Sequence, residues 1–124
     1  MTIKLLIVDD EDYIRLPIKD YFEDCGWSVE TFDSGEEALR YLLDNEVDCV
    51  IADVRLPGMT GIEFITEANR LRPGIRFVIY TGAAGHAIKE ELDTAGVDNY
   101  AVVSKPAFDL EQLRRALEMK AAEE

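Results

Sequence analysis

Apolar residues gather in five short runs, and between the runs the apolar spacing shifts to three and four residues. Ile3–Val8 (IKLLIV) is almost unbroken, which predicts a strand buried on both faces. From Glu11 onward Ile14, Ile18, Tyr21 and Cys25 share one helical face, and Gly26 supplies a stop. Pro17 falls inside that helix. It removes a hydrogen bond and costs about 3 kcal/mol, which predicts a kink or a late start. Ser28–Phe32 (SVETF) is more polar, as an edge strand should be. Ser34 is placed as an N-cap, with Glu37 completing a capping box ahead of Ala38, Leu39, Leu42 and Leu43. Cys49–Ala52 is a short buried strand, and Phe64, Ile65, Ala68 and Leu71 form a third helix stopped by Arg72-Pro73-Gly74. Arg76–Tyr80 is a fourth strand, followed by the small-residue loop Gly82–Gly85. A modest helix then turns Ile88, Leu92 and Ala95 inward and ends at Gly96. Tyr100–Ser104 is the fifth strand. Asp109 caps a last helix through Leu110, Leu113 and Leu117, which fades into the tail Met119–Glu124.

Five strands alternating with five helices imply right-handed crossovers and a parallel sheet covered on both sides. The expected architecture is a doubly wound three-layer α/β sandwich formed as one domain, residues 1–124. Strand order 2-1-3-4-5 places the most polar strand at an edge and the first and third side by side. A hydrophobic content of 48% argues against disorder despite a net charge of −13. That charge disfavours nucleic acid as a direct partner and favours a basic surface or a divalent cation. Cys25 and Cys49 lack metal-ligand spacing and read as reduced, buried thiols, consistent with a cytoplasmic setting. No apolar run approaches a membrane span, and the acids Asp9–Asp12 interrupt any signal-peptide pattern.

In open α/β sheets, ligands sit outside the carboxyl ends of the strands, so the residues at those ends are the candidate chemistry. The first strand ends in Asp9-Asp10, the third in Asp53, the fourth in Thr81 and the fifth in Lys105. Asp9-Asp10 alone would be explained as an N-cap and a first-turn acid. Thr81 alone is a common turn residue, and Lys105 alone an exposed strand-end charge. An isolated acid ending a buried strand has no such explanation. Together the four ends offer carboxylates for a hard cation such as Mg²⁺, one carboxylate free to attack, a hydroxyl donor and an ammonium. Phosphoryl transfer consists largely of such positioning and charge neutralisation.

Four ordered motifs, LLIVDDED (Leu5–Asp12), IADVRLPGMTG (Ile51–Gly61), YTG (Tyr80–Gly82) and SKP (Ser104–Pro106), make the chain resemble the response-regulator receiver domains of two-component signalling. The resemblance covers essentially all of it and implies a flavodoxin-like fold. It implies that Asp53 accepts a phosphoryl group from a histidine kinase or histidine phosphotransfer protein. It further implies that Asp9 (through water), Asp10, Asp53 and the backbone carbonyl of Arg55 bind Mg²⁺. Lys105 would pair with the phosphoryl group, with a cis bond to Pro106. Thr81 would swing in to hold a phosphoryl oxygen, shifting the conformation seen by a downstream output protein or domain. No dedicated substrate turnover is implied, and the family pattern admits a homodimer.

Two features depart from the family pattern. The position three before the lysine, where the family places an aromatic switch residue, is Val102, and Tyr100 lies five before; the interval from Gly96 to Lys105 is about two residues longer than the family pattern. Either a bulge or longer loop lets Tyr100 take the aromatic's role, or that coupling is absent. Arg55 and Ala83, two positions after the acceptor and the threonine, flank the path of a hydrolytic water, and Ala83 offers nothing to orient it. The alternative within the fold is a phosphorylation-independent binding module. A haloacid-dehalogenase-like phosphatase would need an acid where Arg55 stands, and a flavodoxin-like nucleotide binder would need backbone donors where Asp9–Asp12 stand.

Overall fold

The computed structural model describes residues 2–83, 85–107 and 109–123, with side chains as far as residue 118. Ten elements alternate along it: β1 (Lys4–Val8), α1 (Asp12–Asp24), β2 (Ser28–Phe32), α2 (Gly35–Asp44), β3 (Cys49–Ala52), α3 (Gly61–Leu71), β4 (Arg76–Thr81), α4 (Gly85–Thr94), β5 (Tyr100–Ser104) and α5 (Glu111–Glu123). All strand pairs are parallel, in the order β2-β1-β3-β4-β5. The polar strand β2 is at an edge, and β1 lies beside β3.

Because successive strand residues point to opposite faces, the sheet carries two cores. Leu6, Val8, Val50, Phe77 and Ile79 meet Ala38, Leu42, Phe64, Ile65 and Ile88 from α2, α3 and α4. Leu5, Ile7, Ile51 and Val78 meet Ile18, Phe22, Leu113 and Leu117 from α1 and α5. Each fully buried side chain of this size contributes about 1.5–3 kcal/mol, so the strand ends project from a rigid sheet.

Local details differ from expectation. α1 begins at Asp12 and runs through Pro17 rather than starting after it. The proline is exposed, so the carbonyl that loses its partner faces water. Ser34 caps α2 by accepting from the Glu37 N–H at 3.3 Å. The reciprocal capping box is found on α3, where Thr60 and Glu63 bond each other's backbone N–H. Asp109 accepts from the Gln112 N–H at the start of α5, as a cap should. Cys49 is buried, and burial pushes its thiol up to about 12, whereas Cys25 is only half-buried; neither forms a disulfide. Ala84 in the loop after β4, and the side chains of the tail from residue 119, lie outside the described residues. Among the described residues no helix is long and apolar enough to cross a membrane.

Candidate functional site

Strand register brings the chemistry together. Val8 pairs with Ala52 and Ala52 with Ile79, so the next residues of β1 and β3, Asp9 and Asp53, emerge side by side at the carboxyl edge. The Asp53 N–H continues the ladder to the Val8 carbonyl at 3.2 Å, and the Lys105 N–H does the same to Thr81 at 2.9 Å. Asp10, Glu11, Asp53, Arg55, Thr81, Gly82 and Lys105 line an open cavity of about 340 Å³.

Lys105 organises this cavity. Its Nζ donates to Asp53 Oδ2 at 2.7 Å and Asp9 Oδ2 at 2.9 Å, and reaches Glu11 Oε1 at 3.5 Å. Burial opposes its charge, but the bonds to Asp53 and Asp9 outweigh burial and raise its pKa well above an ordinary lysine's. The ammonium also lies 5.6 Å from the centre of the Tyr80 ring, a cation–π distance. Tyr80 in turn accepts from the Ala107 N–H at 2.8 Å and so fixes the turn after β5. The Lys105-Pro106 bond is cis, as the resemblance implied.

Asp9 is held at every polar atom. Its N–H donates to Phe32, its carbonyl accepts from Arg15 Nη1 at 2.7 Å, Oδ1 accepts from the Glu11 N–H at 3.0 Å, and Oδ2 accepts from Lys105. Burial nonetheless pushes its carboxyl above the usual carboxylate range, against the lowering pull of Lys105. Asp53, also buried, accepts from the Arg55 N–H at 3.2 Å through Oδ1. Gly61 is required nearby, because a Cβ on it would sit 2.0 Å from the Asp53 carbonyl oxygen. Thr81 is buried, and its hydroxyl accepts from the Ala83 N–H at 3.2 Å. Among the described residues no acceptor takes the hydroxyl's own proton.

Asp9, Glu11 and Asp53 each bring a carboxylate oxygen within 4.8 Å of the others. Glu11 is the member that sequence reasoning passed over, although VDDED shows a third consecutive acid. Its side chain turns inward, with Tyr13 donating to its other oxygen at 2.7 Å. Asp10 is exposed at the rim of the cavity. The donor set fits a hard divalent cation: all oxygen, partly buried, and already bridged by a cationic ammonium.

The aromatic departure has a clear structural form. β4 and β5 pair residue for residue, from Phe77 with Tyr100 to Thr81 with Ser104, without a bulge. Tyr100 is thus four residues, about 13 Å, down the strand from the residue opposite Thr81. Its hydroxyl donates to Asp93 Oδ1 at 2.7 Å on α4. Burial and that bond push the phenol up to about 12. Val102, on the same face nearer the site, packs on the α4-side core.

The sequence model of the response regulator receiver domain matches residues 5–118. Response regulator SaeR of Staphylococcus aureus is 36% identical over 102 residues, covering 82% of this chain and 43% of SaeR. The matched stretch therefore spans less than half the length of such curated relatives. Among solved structures, a CheY-like receiver domain protein from Methanospirillum hungatei superposes with a TM-score of 0.85 at 28% identity, each chain covered completely. Chemotaxis protein CheY4 of Vibrio cholerae gives 0.86 at 30% identity, covering 96% of this chain and 98% of its own. A Burkholderia pseudomallei response regulator, determined with a phosphorylated aspartic acid, calcium ion and citrate, gives 0.84 at 26% identity, covering 98% of this chain and 69% of its own.

Proposed function

Because the chain belongs to the response regulator receiver domain family, we propose that its site is a cation-assisted phosphoryl acceptor with Asp53 as the nucleophile. One observation carries the reading: a single ammonium, Lys105, spans the carboxylates of Asp53 and Asp9 at the mouth of a cavity that also holds the Thr81 hydroxyl. The phosphorylated aspartic acid and the calcium ion of the Burkholderia relative support it.

In the proposed reaction an Asp53 carboxylate oxygen attacks the phosphorus of a phosphohistidine in line with the leaving nitrogen. The O–P bond forms as the P–N bond breaks, and the imidazole leaves with the electron pair. Lys105 keeps its charge through the step and follows the negative charge from the carboxylate to a phosphoryl oxygen. Thr81 exchanges its loop role for donation to another phosphoryl oxygen, which shifts the loop after β4 and biases α4. Asp9, Asp53 and the inward-turned Glu11 would hold Mg²⁺, with Asp10 and the Arg55 carbonyl as the further ligands that the family pattern supplies. When bound, that ion neutralises charge on the acids and on the phosphoryl oxygens. The donor is a histidine kinase or histidine phosphotransfer protein, and the recipient of the signal is an output domain or protein. The setting is cytoplasmic, and no substrate turnover beyond the chain's own phosphoryl group is proposed.

Intact mass after incubation with Mg²⁺ and acetyl phosphate tests this. One added phosphoryl group is expected, absent in Asp53→Asn and in EDTA. Absence in the native chain, repeated with a phosphorylated histidine kinase, would favour the phosphorylation-independent binding module. Ala83 gives a hydrolytic water nothing to bond, so the phosphoryl group should persist well beyond seconds. A half-life of seconds in a mass-spectrometric chase would refute that part.

A further inference from the structure

Four acids in a row, Asp9-Asp10-Glu11-Asp12, form the turn from β1 into α1, and like charges at this density should spread such a turn apart. Two cations face it. Lys105 holds it from the cavity, and Arg15 holds it from α1. The Arg15 side chain is only 13% exposed. One end of its guanidinium donates to the Asp9 carbonyl at 2.7 Å, and the other bonds the carboxylate of Asp12. α1 has no side-chain cap at Glu11, and this fork, which only donates, ties the turn to the helix through the Asp9 carbonyl and the Asp12 carboxylate. It fixes the peptide that follows Asp9, and with it the directions in which Asp10 and Glu11 leave the turn.

The geometry points to Arg15 as a positioning residue of the cation site, acting through the Asp9 carbonyl rather than by touching the ion or the phosphoryl group. The inference rests on the reading of the acid cluster as a cation site. It makes a prediction opposite in sign to simple charge counting. Removing a positive charge beside an anionic site should tighten cation binding by Coulomb's law alone. Releasing the turn should weaken it.

The test is an NMR titration of the unphosphorylated chain with Mg²⁺, following amides of the β1–α1 turn. Arg15→Gln is expected to weaken Mg²⁺ binding three- to tenfold, and Arg15→Lys, which keeps the charge but not the fork, about two- to threefold. Lys19→Gln removes the same charge from an exposed ion pair with Glu23 on the same helix, and is expected to match the native chain within twofold. Equal or tighter binding by Arg15→Gln with dispersed native amides overturns the inference. Should Arg15→Gln fail to fold, native affinity in Arg15→Lys overturns it equally. A native chain that binds no Mg²⁺ would overturn the site reading itself, a result separable from a native chain that binds while Arg15→Gln binds alike.

Discussion

Replacing Lys105 by Met removes the ammonium and keeps most of the side chain's volume. Asp9 and Asp53, whose side chains are 5% and 8% exposed, then face each other without their shared counter-ion. Breaking a buried ion pair by deleting one partner costs about 3–5 kcal/mol. The cavity opens to water on the side of Asp10 and Arg55, so the lower end, about 3 kcal/mol, applies. Mg²⁺ should reverse most of the loss. Lys105 occupies the carboxylate oxygens that a cation would take, so the variant binds Mg²⁺ without first displacing it. Saturating Mg²⁺ stabilises both chains, so only the ratio of their affinities narrows the gap, and a site about thirtyfold tighter in the variant is worth about 2 kcal/mol. Urea unfolding followed by Trp27, packed 4.7 Å from the Phe22 ring, reads both terms. The deficit of Lys105→Met should fall from about 3 kcal/mol in EDTA to about 1 kcal/mol in saturating Mg²⁺, with Mg²⁺ affinity about thirtyfold tighter than in the native chain. An equal deficit in both buffers, or weaker Mg²⁺ binding, would refute the view that lysine and cation share these oxygens.

Gly61→Ala should destabilise the chain by about 1–3 kcal/mol, because the new methyl must displace the backbone that follows Asp53; the accompanying loss of phosphorylation in the intact-mass assay distinguishes a moved acceptor from a merely weakened helix. Tyr100→Phe should cost about 1 kcal/mol in urea melts at pH 7 by deleting the bond to the exposed Asp93. The phenol titrates near 12 when folded and near 10 when unfolded, so the unfolded chain loses its proton first. The stability it contributes is complete below pH 10 and disappears between pH 10 and 12. Tyr100→Phe should lack that alkaline decline, and an identical decline in both chains would refute the assignment.

What was legible in the sequence follows from periodicity and from position. Apolar runs, unbroken in the centre of the sheet and more polar at the edge strand β2, gave the strands, three-to-four spacing gave the helices, and a residue one step past a strand end had to lie at the carboxyl edge. Asp9, Asp53, Thr81 and Lys105 were found this way, since register alone fixes them. Side-chain direction was not legible. Glu11 and Asp10 are neighbours of similar chemistry, yet one turns into the cavity and the other to solvent, and Glu11 is held there by Tyr13, two residues on, and by Lys105, which only the fold brings near. The late start expected at Pro17 did not occur, because propensity cannot show that its ring would face water. The two extra residues before Lys105 illustrate the same limit. A two-residue lengthening preserves the face on which a strand side chain lies, so Tyr100 still points toward α4. It sits a full pleat repeat further from Thr81, and its partner becomes Asp93 instead of the threonine loop.

The two cations of the site separate what charge does from what geometry does. Both Lys105 and Arg15 neutralise the same acidic turn, and a purely electrostatic account treats them alike: deleting either should draw Mg²⁺ in more strongly. Their attachments differ. Lys105 bonds carboxylate oxygens, so in the proposed reaction it would compete with a cation for them until a phosphoryl group gave it a new partner. Arg15 bonds a backbone carbonyl and a carboxylate outside the cavity, leaving the ligand oxygens free while fixing where they point. Opposite shifts in Mg²⁺ affinity, tighter for Lys105→Met and weaker for Arg15→Gln, are the signature of that division. A site built in this way would keep a movable charge for the proposed reaction and a fixed one for its frame, so that Lys105 could change partners without the acid turn opening behind it.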